Sequence, residues 1–170
     1  MSSPSPVVIC DASPLIFLGK LGELELIREV LKASEIVVLQ CVVDEVLSPR
    51  SFPAERIAFE RFLRTCRVVD FHSNDNTPSE ALSQSERASL SWAVDHRADW
   101  MVVDGRLLRR CAVAEGIRVV GFLGLLVSAA QSGLRDRELV RRQISAVVTL
   151  HGCRISTGLY ATLLAALDKD

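Results

Sequence analysis

Apolar positions along the chain fall into two kinds of run. Short continuous runs alternate with longer stretches in which apolar residues recur every three or four positions. Val7–Cys10 predicts a buried strand, and Ser13-Pro14 offers an N-cap with a proline at the first helical position. Glu23–Lys32 has a helical pattern, Glu35–Leu39 reads as a second strand, and a further helix begins in Val42–Leu47. Arg56–Thr65 is amphipathic, with Ile57, Phe59, Phe62 and Leu63 as its apolar members. Cys66–Phe71 reads as a third strand, and His72–Glu80 ("HSNDNTPSE") is the clearest loop. Ser85–Arg97 is helical, with Leu90, Ala93 and Val94 on one face. Trp100–Asp104 predicts a fourth strand, and the helix Leu107–Glu115 stops at Gly116. Ile117–Phe122 is a short fifth strand, followed by helices over Leu123–Ser132, Arg135–Thr149 and Gly158–Leu167.

Apolar strands separated by helices predict an α/β protein with three layers, a mainly parallel five-stranded sheet covered by helices on both faces. The 170 residues suffice for one domain with a real core, whereas halves would be small. The expectation is a single domain over residues 1–170, with a C-terminal helical extension from about residue 135.

Composition narrows the function classes only slightly. Nearly half the residues are hydrophobic, which excludes a disordered chain, and the formal net charge of -1 names no partner. Only Lys20, Lys32 and Lys169 among the twenty cations are lysines; arginine favours bidentate contacts to phosphate or carboxylate, although a general arginine bias gives the same count. Cys10, Cys41, Cys66, Cys111 and Cys153 are odd in number, irregular in spacing and lack a C-x-x-C pair, so reduced thiols are expected rather than disulfides or zinc. His72, His96 and His151 are scattered. The opening "MSSPSP" lacks a basic region, and Asp11 interrupts the apolar run behind it, so no secretory signal is expected. Val119–Ala130 is too short to span a bilayer. A soluble, cytoplasmic protein follows as the expectation.

The chemistry lies in four acids. In an open parallel sheet, ligands gather beyond the carboxyl ends of the strands. The first and fourth predicted strands each end on an aspartate, Asp11 and Asp104, which face one crevice if those strands are neighbours. Glu45 and Glu86 lie near helix starts; the alternatives are an exposed early-helix glutamate at Glu45 and a capping box, Ser83-x-x-Glu86, at Glu86. Two carboxylates ~4 Å apart repel by about 4 kcal/mol at an effective dielectric of ~20. Clustering them requires protonation or a cation. A ligand set of oxygens alone, without His or Cys, suits Mg²⁺ or Mn²⁺ rather than Zn²⁺.

With these residues in view, the chain resembles the PIN-domain family of metal-dependent ribonucleases, especially a prokaryotic branch related to VapC toxins. The stretches that carry the resemblance are "VVICDASPLIFLGKLGELELI", "VVLQCVVDEVL", "SQSERASLSWAVDHRADWMVVDGRLLRR" and "GIRVVGFLGLLVSAAQSGL", in family order, with D-x-S-P-L-I the most specific; the tail "GCRISTGLYATLL" resembles that branch's last helix. The resemblance implies a five-stranded parallel sheet sandwiched by helices. It implies that Asp11, Glu45, Glu86 and Asp104 bind one or two Mg²⁺ or Mn²⁺ ions and catalyse cleavage of RNA phosphodiesters, with Ser13 in support. It further implies a toxin of a toxin–antitoxin pair, an antitoxin protein covering the crevice, and a homodimer. Arg106, Arg109 and Arg110 follow Asp104 at helical spacing and offer RNA phosphate contacts, or else a solvated helix face. Arg137, Arg141 and Arg142 form a similar cluster.

Two positions depart from the branch. Ser85 stands where it usually has glycine, and Gly105 where it usually has a second aspartate. Gly105 raises the alternative of a catalytically weak or inactive PIN module that binds RNA or a partner. Other aspartate-after-strand folds fit worse. A haloacid-dehalogenase-type phosphatase needs an aspartate where Ser13 stands, a receiver domain needs an acidic pair at the first strand, and a Rossmann dehydrogenase needs G-x-G-x-x-G.

Overall fold

In a computed structural model, residues 6–49, 51–73 and 81–169 are described. Among them the strands are β1 (Val7–Cys10), β2 (Glu35–Leu39), β3 (Arg67–Val69), β4 (Trp100–Val102) and β5 (Arg118–Val120). The helices are α1 (Ala12–Leu21), α2 (Leu26–Leu31), α3 (Gln40–Val46), α4 (Pro53–Leu63), α5 (Gln84–Asp95), α6 (Arg106–Ala114), α7 (Phe122–Gln131), α8 (Arg137–Thr149) and α9 (Thr157–Asp168). The strands form one sheet in the order β3-β2-β1-β4-β5, and every pairing is parallel. The expected three-layer α/β/α arrangement is present. One layer gathers α1, α3, α4 and α7 around α1, with α2 against α7, while α5 packs with α6 on the other face.

Burial explains the apolar runs. Val8, Ile9, Cys10, Val37, Val38 and Leu39 are wholly enclosed, because central parallel strands are covered on both faces. At the edge, β3 is more exposed than the inner strands and shorter than its apolar run suggested. Likewise β4 ends at Val102, before Asp104, and β5 at Val120, so that Phe122 opens α7. The ladder bonds themselves continue slightly further, from Asp11 N to Val102 O at 3.0 Å and from Val103 N to Val120 O at 2.9 Å.

Helix boundaries moved for local reasons. The first helix begins at Ala12, with Asp11 rather than Ser13 in the N-cap position. Pro14 therefore sits inside the first turn, where a missing N–H forfeits no intrahelical bond. Residues 22–25 form turns instead of helix, and the Glu23 carboxylate is buried against Arg135 and Gln143. α4 starts at Pro53, a residue suited to a first helical turn. The loop expected over His72–Glu80 falls largely on residues 74–80, outside the described residues. At the C-terminal end, α8 buries Val140, Ile144 and Val147, and α8 and α9 both pack on α7.

Candidate functional site

The sheet order places a topological switch at β1 and β4. The chain runs outward from β1 through β2 to β3, then returns to lay β4 on the other side of β1. A crevice opens beyond the carboxyl ends of such a strand pair. Asp11 follows β1 directly and Asp104 follows β4 by two residues, with Cys10 and Val102 in register.

Asp11 is the most buried of the four acids, 6% exposed. Burial lifts its carboxyl from the usual 3.8 to about 7; the Ala12 amide opposes this, while Glu86, Glu45 and Asp104 push it further up. The four acids named from the sequence are therefore electrostatic neighbours, although their positions span much of the chain. Among the described residues, each charge that bears appreciably on Asp11 is negative.

Glu45 and Glu86 approach from two helices. The sequence pattern suggested that Glu45 lies early in its helix, but α3 begins at Gln40, immediately after β2, and no acid lies in its first turn. Glu45 is instead in the last turn. A carboxylate gains nothing from the helix dipole there, since that end favours cations. Its Oε1 accepts a hydrogen bond from the buried Ser85 hydroxyl. Glu86 opens α5 in the capping box anticipated from Ser83-x-x-Glu86. Its Oε2 accepts from Ser83 N–H at 2.8 Å, and its own N–H donates to Ser83 Oγ at 3.2 Å. The capping box uses Oε2 and leaves Oε1 outside it, facing position 105. A Cβ on Gly105 would stand 3.1 Å from it. Gly105 has φ −60° and ψ 125°, an ordinary extended conformation rather than a left-handed one.

Asp104 is bound differently. Its Oδ1 accepts from Phe122 N–H, at the start of α7, at 3.1 Å. Burial raises it from 3.8 to about 6, against the Phe122 amide, the Arg109 charge and the Ser13 hydroxyl, all of which favour the ionised form. Oδ2 is buried with no hydrogen bond of good geometry. Of the three arginines on α6, Arg109 turns inward and donates from Nη1 to Val103 O at 3.0 Å. Arg106 and Arg110 are exposed. Sequence reasoning noted Ser85 only as a departure and missed its bond to Glu45; its place one residue before Glu86 was the signal.

Among the described residues, no three Asp, Glu, His or Cys side chains stand close enough to hold one ion directly. Mg²⁺ keeps several waters and is commonly held by one or two carboxylates. The chemistry of the donor set, oxygens alone around a buried acid with negative neighbours and the unpartnered Asp104 Oδ2, fits such a hydrated divalent cation. The cysteines are free, and none joins the acids as a thiolate ligand set.

The molecule is a three-layer α/β protein whose parallel sheet carries acids at its switch point. The family model described as "DUF3368: PIN domain" matches residues 7–169, and the chain belongs to this PIN-domain family. Among solved structures it is similar to a PilT N-terminus domain protein, SSO1118, from the hyperthermophilic archaeon Sulfolobus solfataricus P2. That likeness has a TM-score of 0.52 and 18% identity, covers 72% of this chain and 92% of the other, and bears on the fold. No curated protein matches the chain. No helix among the described residues is long and apolar enough to cross a membrane.

Proposed function

We infer that the protein is a Mg²⁺- or Mn²⁺-dependent endoribonuclease, the toxin of a toxin–antitoxin pair, acting as one domain over residues 1–170 in the cytoplasm. PIN domains are generally nucleases, and membership of that family supports the class of reaction. The observation that supports the divalent cation is the placement of Asp11. It lies buried at the switch point, with Glu86, Glu45 and Asp104 as its charged neighbours. Asp11 and Glu86 would hold the cation, with Glu45 and the free oxygen of Asp104 beside them. When bound, a divalent ion there activates water and steadies the charge of a phosphodiester in its transition state. The exposed Arg106 and Arg110 lie on α6, the helix that follows Asp104, and would receive RNA phosphates, while Arg109 and Ser13 would orient Asp104. An antitoxin would cover this crevice, and a homodimer belongs to the same reading.

The test is cleavage of a fluorescent single-stranded RNA. Activity should disappear in EDTA, return with Mn²⁺ or Mg²⁺, and be lost in Asp11→Asn, which keeps the shape but not the charge. Full-rate cleavage by Asp11→Asn rules the mechanism out. RNA binding without cleavage by the wild type would favour the inactive module that Gly105 allows.

A further inference from the structure

We propose that Ser85 is a positioning residue of the acidic crevice, whose hydroxyl holds the Glu45 carboxylate in place for a cation. The proposal rests on the functional reading above and adds a residue to it. Ser85 is 6% exposed, so its hydroxyl is removed from water and must find a partner within the protein. That partner is Glu45 Oε1, forty positions away in the chain and on a different helix. Ser85 Oγ also lies 3.3 Å from Ser83 Oγ, which caps α5 and receives the Glu86 amide. Glu45 is thus joined through two serines to the helix start that fixes Glu86.

Glu45 needs such a tether. It is an exposed residue in the last turn of the short α3, and its carboxylate lies near enough to Asp11 for the two negative charges to interact. Repulsion and solvation both favour swinging the side chain outward. A hydrogen bond from a rigid, buried donor opposes that motion and leaves Oε2 available. Groups that orient a ligand in this way commonly change metal affinity by 10–100-fold when removed.

The experiment is a double-mutant cycle on the full chain with Ser85→Ala, Glu45→Ala and the pair, read in two ways. In EDTA, urea midpoints report the contact itself, and the two substitutions should be non-additive. Calorimetric Mn²⁺ titration without RNA reports its consequence. Ser85→Ala should weaken binding about tenfold in the wild-type background and have no further effect in Glu45→Ala. Ser85→Thr, which keeps the hydroxyl, should restore affinity. Additive urea midpoints would overturn the contact. Coupled midpoints with equal losses of Mn²⁺ affinity in both backgrounds would overturn the positioning role, since a merely structural serine acts independently of Glu45. A wild type that binds no Mn²⁺ would overturn the metal reading, and with it any role of Ser85 toward a cation, even with the contact upheld in EDTA.

Discussion

At the residue scale, charge and space make opposite demands on the crevice. Asp11 has its pKa raised from 3.8 to about 7, chiefly by burial. A carboxyl whose folded value lies above its unfolded value destabilises the fold once ionised. Without metal, stability should be greatest below about pH 4 as far as this group is concerned, and should fall as pH rises toward 7. Each pKa unit corresponds to roughly 1.4 kcal/mol, so the loss is a few kcal/mol at most. Urea titrations in EDTA from pH 4 to 8 should show that fall in the wild type and a flatter profile in Asp11→Asn. A profile unchanged by the substitution would show that Asp11 ionises freely in the fold. Position 105 offers the complementary experiment. Its backbone conformation is open to any residue, and a Cβ there would stand 3.1 Å from Glu86 Oε1 and 4.0 Å from Leu108 Cβ. Gly105→Asp should therefore tighten Mn²⁺ binding while lowering the melting temperature in EDTA, because it adds a carboxylate beside Glu86. Metal affinity and melting temperature both unchanged would remove position 105 from the site.

At the element scale, the junction between β5 and α7 depends on a missing side chain. Gly121 lies where a Cβ would come within 2.6 Å of Asp104 Oδ1 and 3.1 Å of Arg109 Nη1. That gap lets Asp104 reach the Phe122 amide and tie the loop after β4 to the first turn of α7. Gly121→Ala should push Asp104 away, costing about 1–3 kcal/mol as overpacking commonly does. Urea denaturation checks the value; a neutral substitution would mean that the Asp104 contact yields without loss. The capping box of α5 was legible in advance, because Ser83 and Glu86 interact across three residues and spacing alone specifies them. The start of α3 was not. Its first residue is decided by how β2 ends, and that displaced Glu45 from the beginning of the helix to its last turn.

At the scale of the whole molecule, a polar clamp joins the two ends of the chain. Arg135 Nε donates to Glu23 Oε2 at 2.9 Å, and Gln143 Nε2 donates to Glu23 Oε1 at 2.8 Å. Glu23 is 6% exposed, so losing a donor leaves a buried charge poorly satisfied. Arg135→Ala should cost roughly 1–3 kcal/mol, measured by tryptophan fluorescence in urea. A change within experimental scatter would show that Gln143 suffices to hold Glu23. Neither end of the chain advertises this clamp, because Glu23 reads as one more helical acid and Arg135 as one more surface arginine. The same division runs through the protein. Local pattern determined the α/β class, the inner strands β1 and β2 and the α5 cap, since burial and capping act over a few residues, and it marked Asp11, Glu45, Glu86 and Asp104 as candidates by their oxygen donors. Tertiary structure alone decided that β1 and β4 are neighbours, that Ser85 reaches Glu45, that Asp104 spends one oxygen on Phe122, and that Gly105 faces Glu86. Those outcomes depend on how crossovers and packed layers bring distant segments together, and a one-dimensional pattern does not carry that information.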